Sequence, residues 1–104
     1  MQKRHRDKQR YFNEQVYTTE KYVIPFIQQE KNVEASLTVL EIGCGEGGNL
    51  KPFINLGCTC VGVDLSQSKI DNGMKFYAGV SNIELICRDI DDIPDSFGRF
   101  DILI

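Results

Sequence analysis

Four features that would place the chain in a common class are missing from its 104 residues. No apolar run approaches the roughly 20 residues that a membrane-spanning helix needs, and no apolar stretch follows the charged N-terminus as in a secretory signal. The only histidine is His5, so a histidine-based catalytic triad is not expected. None of the four cysteines forms a CxxC pair, which argues against a zinc site. We therefore predict a cytoplasmic protein without a metal site and without a membrane partner.

The length and composition fit one globular domain. Hydrophobic residues make up 41% of the chain and charged residues 26%, which argues against a disordered, collagen-like or disulfide-scaffolded protein. The four cysteines lie at Cys44, Cys58, Cys60 and Cys87. Of these, Cys58 and Cys60 lie two positions apart in a strand-like run and are predicted to be small buried hydrophobic residues in a reducing compartment.

The net charge of −3 is unevenly distributed. Residues 1–10 hold five basic side chains against one acidic side chain, a local charge of +4, and the remaining residues sum to −7. Such an arm can contact nucleic acid or anionic lipid. No interleaved aromatic residues or binding motif accompany these charges, so we interpret the arm as a solvated terminus.

Residues 1–36 are predicted to be this basic arm followed by a helical lead-in. Apolar side chains recur at helical spacing over residues 8–30. Thr18 or Thr19 is a candidate N-cap for a second helix, and Pro25 should kink or restart it. A polar connection then leads to the next segment.

Residues 37–104 alternate between strand and helix patterns. Apolar runs rich in β-branched residues predict strands at 37–42, 58–64, 82–87 and 100–104. Helices are predicted at 47–56 and after Ser66, a candidate N-cap. The second of these helices has an apolar stripe formed by Ile70, Met74 and Tyr77.

This alternation predicts an α/β fold. It is a Rossmann-like parallel sheet with helices on both faces, truncated after the fourth strand and preceded by the N-terminal helical segment. The chain stops at Ile104 within an apolar strand, so we expect it to be the N-terminal portion of a longer protein. The fourth strand would otherwise be an exposed edge through which the chain could associate with itself.

The first predicted strand runs into a glycine-rich turn, Gly43-Cys44-Gly45-Glu46-Gly47-Gly48. Backbone N–H groups and the positive end of a helix dipole are expected to face a ligand there. The spacing fits both GxGxxG, which is typical of dinucleotide sites, and GxGxG. Glu41 favours the second pattern, because a buried carboxylate suits a ligand with sulfonium and ammonium groups better than a pyrophosphate. Alternatively, Glu41 accepts hydrogen bonds from the glycine turn or from the N-terminal helix.

Carboxylates also end the next two predicted strands. Asp64 lies 21 positions after Gly43, where a carboxylate can accept both hydroxyls of a ribose. A plain N-terminal cap for the next helix is the alternative. Asp89 is a candidate acceptor for an adenine amino group, with Leu65 and Ile90 against the faces of the ring. The acidic residues that follow are interpreted as a solvated loop: Asp91, Asp92 and Asp95.

Together these segments resemble the class I S-adenosylmethionine-dependent methyltransferases over residues 37–104. Four segments carry the resemblance. Glu41 to Gly47 is similar to the family's first motif, E/DxGxGxG, and Val63 to Leu65 is similar to the acidic end of its second strand. Arg88 to Ile90 is similar to its adenine-binding segment, and Phe100 to Ile104 is similar to its fourth strand. The resemblance implies S-adenosylmethionine as cofactor. It also implies methyl transfer by in-line displacement at the sulfonium methyl group.

The resemblance further implies a role for each candidate residue. The turn of Gly43, Cys44, Gly45, Glu46 and Gly47 would cradle the methionine part of the cofactor. Asp64 would hold the ribose, Leu65 and Ile90 would pack on the adenine, and Asp89 would bind its amino group. Glu41 would order the turn and bias the site toward a cation.

The acceptor site is not visible in this sequence. In the family, residues beyond the fourth strand usually complete the pocket, so no catalytic residue is assigned and the chain alone is expected to be inactive. We expect a small-molecule acceptor and no nucleic acid. The alternatives to a methyltransferase are an NAD- or FAD-binding domain and a non-catalytic binding fragment that keeps the fold.

Overall fold

A computed structural model describes residues 8–28, 37–92 and 100–104. Four strands form one parallel sheet in the order β3-β2-β1-β4. They are β1 Thr38–Ile42, β2 Thr59–Asp64, β3 Ile83–Cys87 and β4 Ile102–Leu103. This arrangement confirms the predicted α/β fold, and it brings the carboxyl ends of β1, β2 and β3 to the same edge of the sheet.

The N-terminal helix consists of α1 (Lys8–Thr18), a π-helical turn (Thr19–Val23) and α2 (Ile24–Gln28). Thr18 has helical dihedral angles and no side-chain capping bond, so the predicted N-cap of a separate helix is wrong. The N–H of Ile24 donates to the carbonyl of Thr19, five residues back. Pro25 has no N–H to offer the preceding turn, so the helix widens just before the proline instead of stopping.

The segment after β1 begins with a 3₁₀ turn, Gly48–Leu50, and continues as α3, Lys51–Asn55. The predicted helix therefore lies in the expected place but is tighter in its first turn. Helix α4, Gln67–Phe76, begins at Ser66, whose hydroxyl accepts a bond from the N–H of Lys69 at 3.4 Å, as predicted. A short 3₁₀ turn, Ile90–Asp92, follows β3.

The apolar stripe of α4 differs from the prediction at one position. Ile70 and Tyr77 are buried as expected, but Met74 is 51% exposed. Gly73 faces the sheet instead, because a Cβ there would lie 2.6 Å from both the carbonyl oxygen of Glu46 and the Leu85 side chain. The missing side chain lets α4 approach the glycine turn closely, which points Met74 outward.

The core lies on one face of the sheet. Its buried members include Val39, Cys60, Leu85 and Ile102 from the strands, with Phe12, Leu50, Phe53, Ile70 and Tyr77 from the helices and turns. The Phe12 ring stacks on Phe76 with 4.3 Å between the ring centroids. The opposite face carries Leu40, Ile42, Val61 and Ile86, which are half-buried, and Val63, which is buried. The described helices pack on the face that holds the core, and helices on the other face stay a prediction.

Cys58 and Cys60 are buried as predicted, Cys44 is buried as well, and Cys87 is half-buried. Several sequence predictions fall outside the described residues: the basic arm through residue 7 with His5, the polar connection 31–36, and Asp95. Among the described helices, none combines the length and apolar character needed to cross a membrane.

Candidate functional site

The glycine turn after β1 has a backbone that only glycine adopts easily. Its φ angles are +73° at Gly43, +58° at Gly45 and +84° at Gly47. The N–H groups of Gly43 and Cys44 both donate to the carbonyl of Val63, at 2.7 and 3.0 Å. The turn is thereby fastened to the end of β2.

Most of the turn's N–H groups are satisfied within the chain. Besides the two bonds to β2, the N–H of Gly47 donates to the carbonyl of Cys44 at 3.0 Å, and the N–H of Gly45 donates to Oδ2 of Asp64 at 2.8 Å. The prediction that these groups are free for a ligand is therefore wrong for four of them. The turn offers shape and close backbone approach more than open donors.

The side chain of Cys44 points into the core and away from solvent. A Cβ on Gly62 would lie 2.7 Å from the Cys44 sulfur, so the thiol packs over this glycine of β2. Burial, with the nearby Glu41 charge, raises the pKa of the Cys44 thiol to about 12. The thiol therefore stays protonated near neutral pH, and only the backbone of Cys44 is placed to approach a ligand.

Asp64 joins the glycine turn to the start of α4. Its Oδ2 accepts from Gly45, and its Oδ1 accepts from the N–H of Ser66 at 2.9 Å. The capping alternative is thus present in the structure. Each carboxylate oxygen has a second lone pair, so the same group keeps capacity for ribose hydroxyls.

A pocket of about 180 Å³ opens at the carboxyl ends of β1, β2 and β3. It brings together four of the predicted residues, Gly43, Asp64, Leu65 and Asp89, and adds Ile42, Val63 and Arg88, which were not predicted as site residues. Leu65 is 71% exposed, an apolar surface suited to packing against a flat ring. Ile90 begins the 3₁₀ turn beside this pocket, and its contact with a ligand stays a prediction.

Glu41 is buried at the end of β1, with 6% of its surface exposed. Its Oε2 accepts from the side-chain amide of Asn49 at 3.0 Å, and its Oε1 has no partner among the described residues. Burial raises the pKa of this carboxyl to about 7; the Asn49 bond lowers it, and the charge of Asp64 raises it further. Its observed partner is therefore neither the glycine turn nor the N-terminal helix, but a side chain between them.

Asn49 and Thr19 were missed by the sequence analysis. The Thr19 hydroxyl donates to Oδ1 of Asn49 at 2.9 Å, which links the N-terminal helix to Glu41. Thr19 was considered only as a helix cap. A polar residue among the apolar positions of a helix was the one signal that could have suggested a buried partner.

Three buried acceptor oxygens near the turn have no donor among the described residues. They are Oε1 of Glu41, Oε2 of Glu46 and Oε1 of Gln15. Leaving a buried acceptor unsatisfied costs about 1–3 kcal/mol. A ligand with positive charge would be attracted by the carboxylates around the turn, whereas a pyrophosphate brings negative charge to a turn already flanked by Glu41, Glu46 and Asp64. The site therefore fits the ammonium and sulfonium groups of S-adenosylmethionine.

Comparison with known proteins decides between the two kinds of ligand. The family described as the methyltransferase domain matches residues 39–104. The chain belongs to the methyltransferase domain family. This confirms the resemblance to class I S-adenosylmethionine-dependent methyltransferases and identifies S-adenosylmethionine as the family's cofactor. The dinucleotide alternative receives no support.

The chain is similar to individual relatives over most of its own length. It is 47% identical over 70 residues to an uncharacterized protein of Rickettsia prowazekii, and 39% identical over 82 residues to the ubiquinone biosynthesis O-methyltransferase of Bradyrhizobium diazoefficiens. These matches cover 64% and 72% of the chain but only 13% and 32% of the relatives. The solved structure of PKMT2 from Rickettsia typhi in complex with AdoHcy superposes with a TM-score of 0.69 at 31% identity, over 82% of the chain and 18% of that protein. The chain thus spans less than a third of the length of these relatives.

Proposed function

We propose that this chain binds S-adenosylmethionine at the carboxyl edge of its sheet and forms the cofactor-binding half of a methyltransferase. The observation that carries the proposal is the pocket at the strand ends, which lies next to a glycine turn surrounded by unsatisfied carboxylate oxygens. When bound, the cofactor supplies an electrophilic methyl group on a sulfonium. The carboxylate of Glu41 favours positive charge near the turn and disfavours a phosphate there.

The individual roles extend the same proposal to the residues of the pocket. The turn from Gly43 to Gly47, including the backbone of Cys44 and Glu46, lies along the methionine part of the cofactor. Asp64 accepts the ribose hydroxyls, because its oxygens retain free lone pairs. Leu65 and Ile90 pack on the adenine, and Asp89 accepts its amino group. The exposure of Leu65 at the pocket supports this assignment.

The proposal extends to the division of the chain, its acceptor, its location and its self-association. Residues 1–36 form a lead-in and residues 37–104 form the cofactor-binding unit. We expect a small-molecule acceptor, which agrees with relatives named as O-methyltransferases of ubiquinone biosynthesis. Nucleic acid is not expected, the protein is expected in the cytoplasm, and β4 offers an edge for self-association.

Calorimetric titration of the full chain with AdoHcy, with NAD titrated beside it, tests the proposal. We expect AdoHcy to bind and NAD not to bind. Asp64→Asn keeps the size of the side chain but loses the charge, so it should weaken AdoHcy binding about tenfold. Asp71→Asn is the matched control, because Asp71 is exposed on α4 and contacts only Gln67 among the described hydrogen bonds. Binding of NAD alone, or equal affinity in both variants, would contradict the proposal.

A further inference from the structure

A polar bridge crosses the packed interface between the N-terminal helix and the sheet. The Thr19 hydroxyl donates to Oδ1 of Asn49 at 2.9 Å, and Nδ2 of Asn49 donates to Oε2 of Glu41 at 3.0 Å. Thr19 and Glu41 are both buried, and Asn49 is half-buried. We call this the Thr19–Asn49–Glu41 bridge. It connects the π-helical turn to the acidic residue beneath the glycine turn.

The two hydrogen bonds fix the orientation of the Asn49 amide. Its NH₂ group faces the Glu41 carboxylate, which can only accept, and its carbonyl oxygen accepts a hydrogen bond from the Thr19 hydroxyl. If the amide turned over, its carbonyl oxygen would face the carboxylate, and two acceptors would oppose each other. The carboxylate therefore sets the orientation of the amide, and the Thr19 hydroxyl holds the amide in that orientation through its carbonyl oxygen.

The position of Thr19 in the helix agrees with such a role. A threonine hydroxyl within a helix often bonds a backbone carbonyl of the preceding turn. Here the hydroxyl leaves its own helix and reaches Asn49, at the point where the π-helical turn begins. Single π-helical turns are rare and occur frequently at functional sites.

The bridge occupies only one of the two Glu41 oxygens. Oε2 is held by Asn49, while Oε1 remains buried and has no donor among the described residues. A carboxylate held on one side is oriented without being neutralised. Oε1 has almost no exposed surface, so the carboxylate acts on a cation bound at the turn through its charge and not through a direct hydrogen bond.

We propose that Thr19 and Asn49 are positioning residues, which orient the Glu41 carboxylate for the cationic half of the cofactor and thereby make the N-terminal helix part of the cofactor site. The inference rests on the proposed function, because it assigns the cation to the cofactor. It adds that a residue of the lead-in, about 30 positions from Asn49, controls the site through a buried contact.

The ionisation of Glu41 in the cofactor-free full chain gives the first test. Carbon-13 NMR of labelled glutamate carboxyls should show a midpoint of about 7 for Glu41. Thr19→Val keeps the shape but loses the hydroxyl, so the Asn49 amide is no longer held toward Glu41 and the midpoint should rise. Thr19→Ser should restore it, and Thr18→Val, an exposed neighbour, should leave it unchanged. An unchanged midpoint in Thr19→Val would overturn the bridge.

Other groups near Glu41 do not obscure this titration. Asp64 is the carboxylate whose charge acts on Glu41, and it is present in every variant. Cys44, Cys60 and Tyr77 also interact with Glu41, but burial raises the pKa of each well above the neutral range. If Thr19→Val does not fold, Asn49→Ala removes the same donor to Glu41 and should raise the midpoint in the same direction.

The affinity for AdoHcy gives the second test. Thr19→Val should weaken binding about three- to tenfold, the equivalent of one net hydrogen bond, and Thr19→Ser should bind nearly as the wild type does. If the wild type does not bind AdoHcy, the proposed function fails, while the NMR titration still decides whether the bridge orients Glu41. If the wild type binds and Thr19→Val matches it in affinity, the positioning role fails and the proposed function stands.

Discussion

At the scale of single residues, Glu41 makes the stability of the fold depend on pH. The fold raises its pKa from 4.5 to about 7, so the folded chain holds this proton more tightly than the unfolded chain. The free energy of unfolding should therefore fall as pH rises from about 4.5 to about 7. Above that range, the full cost of keeping the buried carboxylate charged remains. That cost is up to about 3 kcal/mol.

Replacing Glu41 with Gln removes this charge and tests the effect. Glu41→Gln should be more stable than the wild type at pH 8, and the contribution of this site to the pH dependence should disappear. Urea unfolding at pH 5 and pH 8 measures both. Glu84→Gln, an exposed change on β3, is the control and should behave as the wild type does. If the free energy of unfolding changes equally between pH 5 and pH 8 in the wild type and in Glu41→Gln, the expectation is refuted.

Asp64 contributes to stability as well as to the proposed ribose contact. Its carboxylate accepts the N–H groups of Gly45 and Ser66, and Asp64→Ala leaves both without that partner. We expect a loss of about 1–3 kcal/mol in the free energy of unfolding without any ligand. Denaturant unfolding should place Asp64→Asn between the wild type and Asp64→Ala, because the amide keeps one acceptor. Wild-type stability in Asp64→Ala would show that these two bonds contribute nothing.

At the scale of elements, Tyr77, the residue after α4, ties this helix to the glycine turn by a hydrogen bond. The Tyr77 hydroxyl donates to the carbonyl of Gly47 at 2.6 Å, and its ring meets the edge of Phe12 with 5.6 Å between centroids. Tyr77→Phe keeps the ring and removes this bond, while the Gly47 carbonyl still accepts from the N–H of Leu50 at 3.1 Å. We expect a loss of about 0.5–1.5 kcal/mol in the free energy of unfolding, the net value of one hydrogen bond, and faster hydrogen exchange of the turn amides.

Tyr22→Phe is the matched control for this change, because Tyr22 is exposed on the N-terminal helix. It should alter neither the free energy of unfolding nor the exchange of the turn amides. Equal exchange rates in Tyr77→Phe and the wild type would mean that the turn is held by its bonds to β2 alone.

The strands could be predicted from the sequence because their signal is local. Apolar β-branched runs gave β1, β2 and β3 to within one residue at each end, and Ser66 marked the start of α4. The glycine spacing and Asp64 also predicted correctly which strand ends would meet in one pocket. Each of these inferences needs only neighbours in sequence and the parallel topology that alternation implies.

The remaining features depend on contacts between distant segments. The exposure of Met74 follows from the approach of Gly73 to Glu46 and Leu85, which a helical periodicity does not contain. The partnership of Thr19 with Asn49 spans 30 positions and requires the N-terminal helix to lie on a particular face. The hydrogen bonds that occupy the N–H groups of Gly43, Cys44 and Gly45 likewise depend on the end of β2. The sequence alone therefore predicted more free N–H groups in the turn than the structure has.

At the scale of the whole molecule, the two faces of the sheet differ. One face is packed under the described helices, and the other carries half-buried apolar side chains from three strands, including Leu40, Val61 and Ile86. Leu103 on β4 adjoins this second face and is 70% exposed. An apolar face beside the last strand in the sheet order favours association between chains.

Leu103→Lys tests whether this region drives self-association. Sedimentation velocity over a concentration series should show larger species in the wild type that diminish in Leu103→Lys, because a charge at the contact opposes its burial. The free energy of unfolding should change by less than about 0.5 kcal/mol, since the side chain is exposed in the single chain. Leu56→Lys, a change at another exposed leucine just after α3, should leave the association intact. If the wild type remains monomeric at every concentration, this face does not drive self-association. If Leu103→Lys associates as strongly as the wild type, the contact lies elsewhere on the chain.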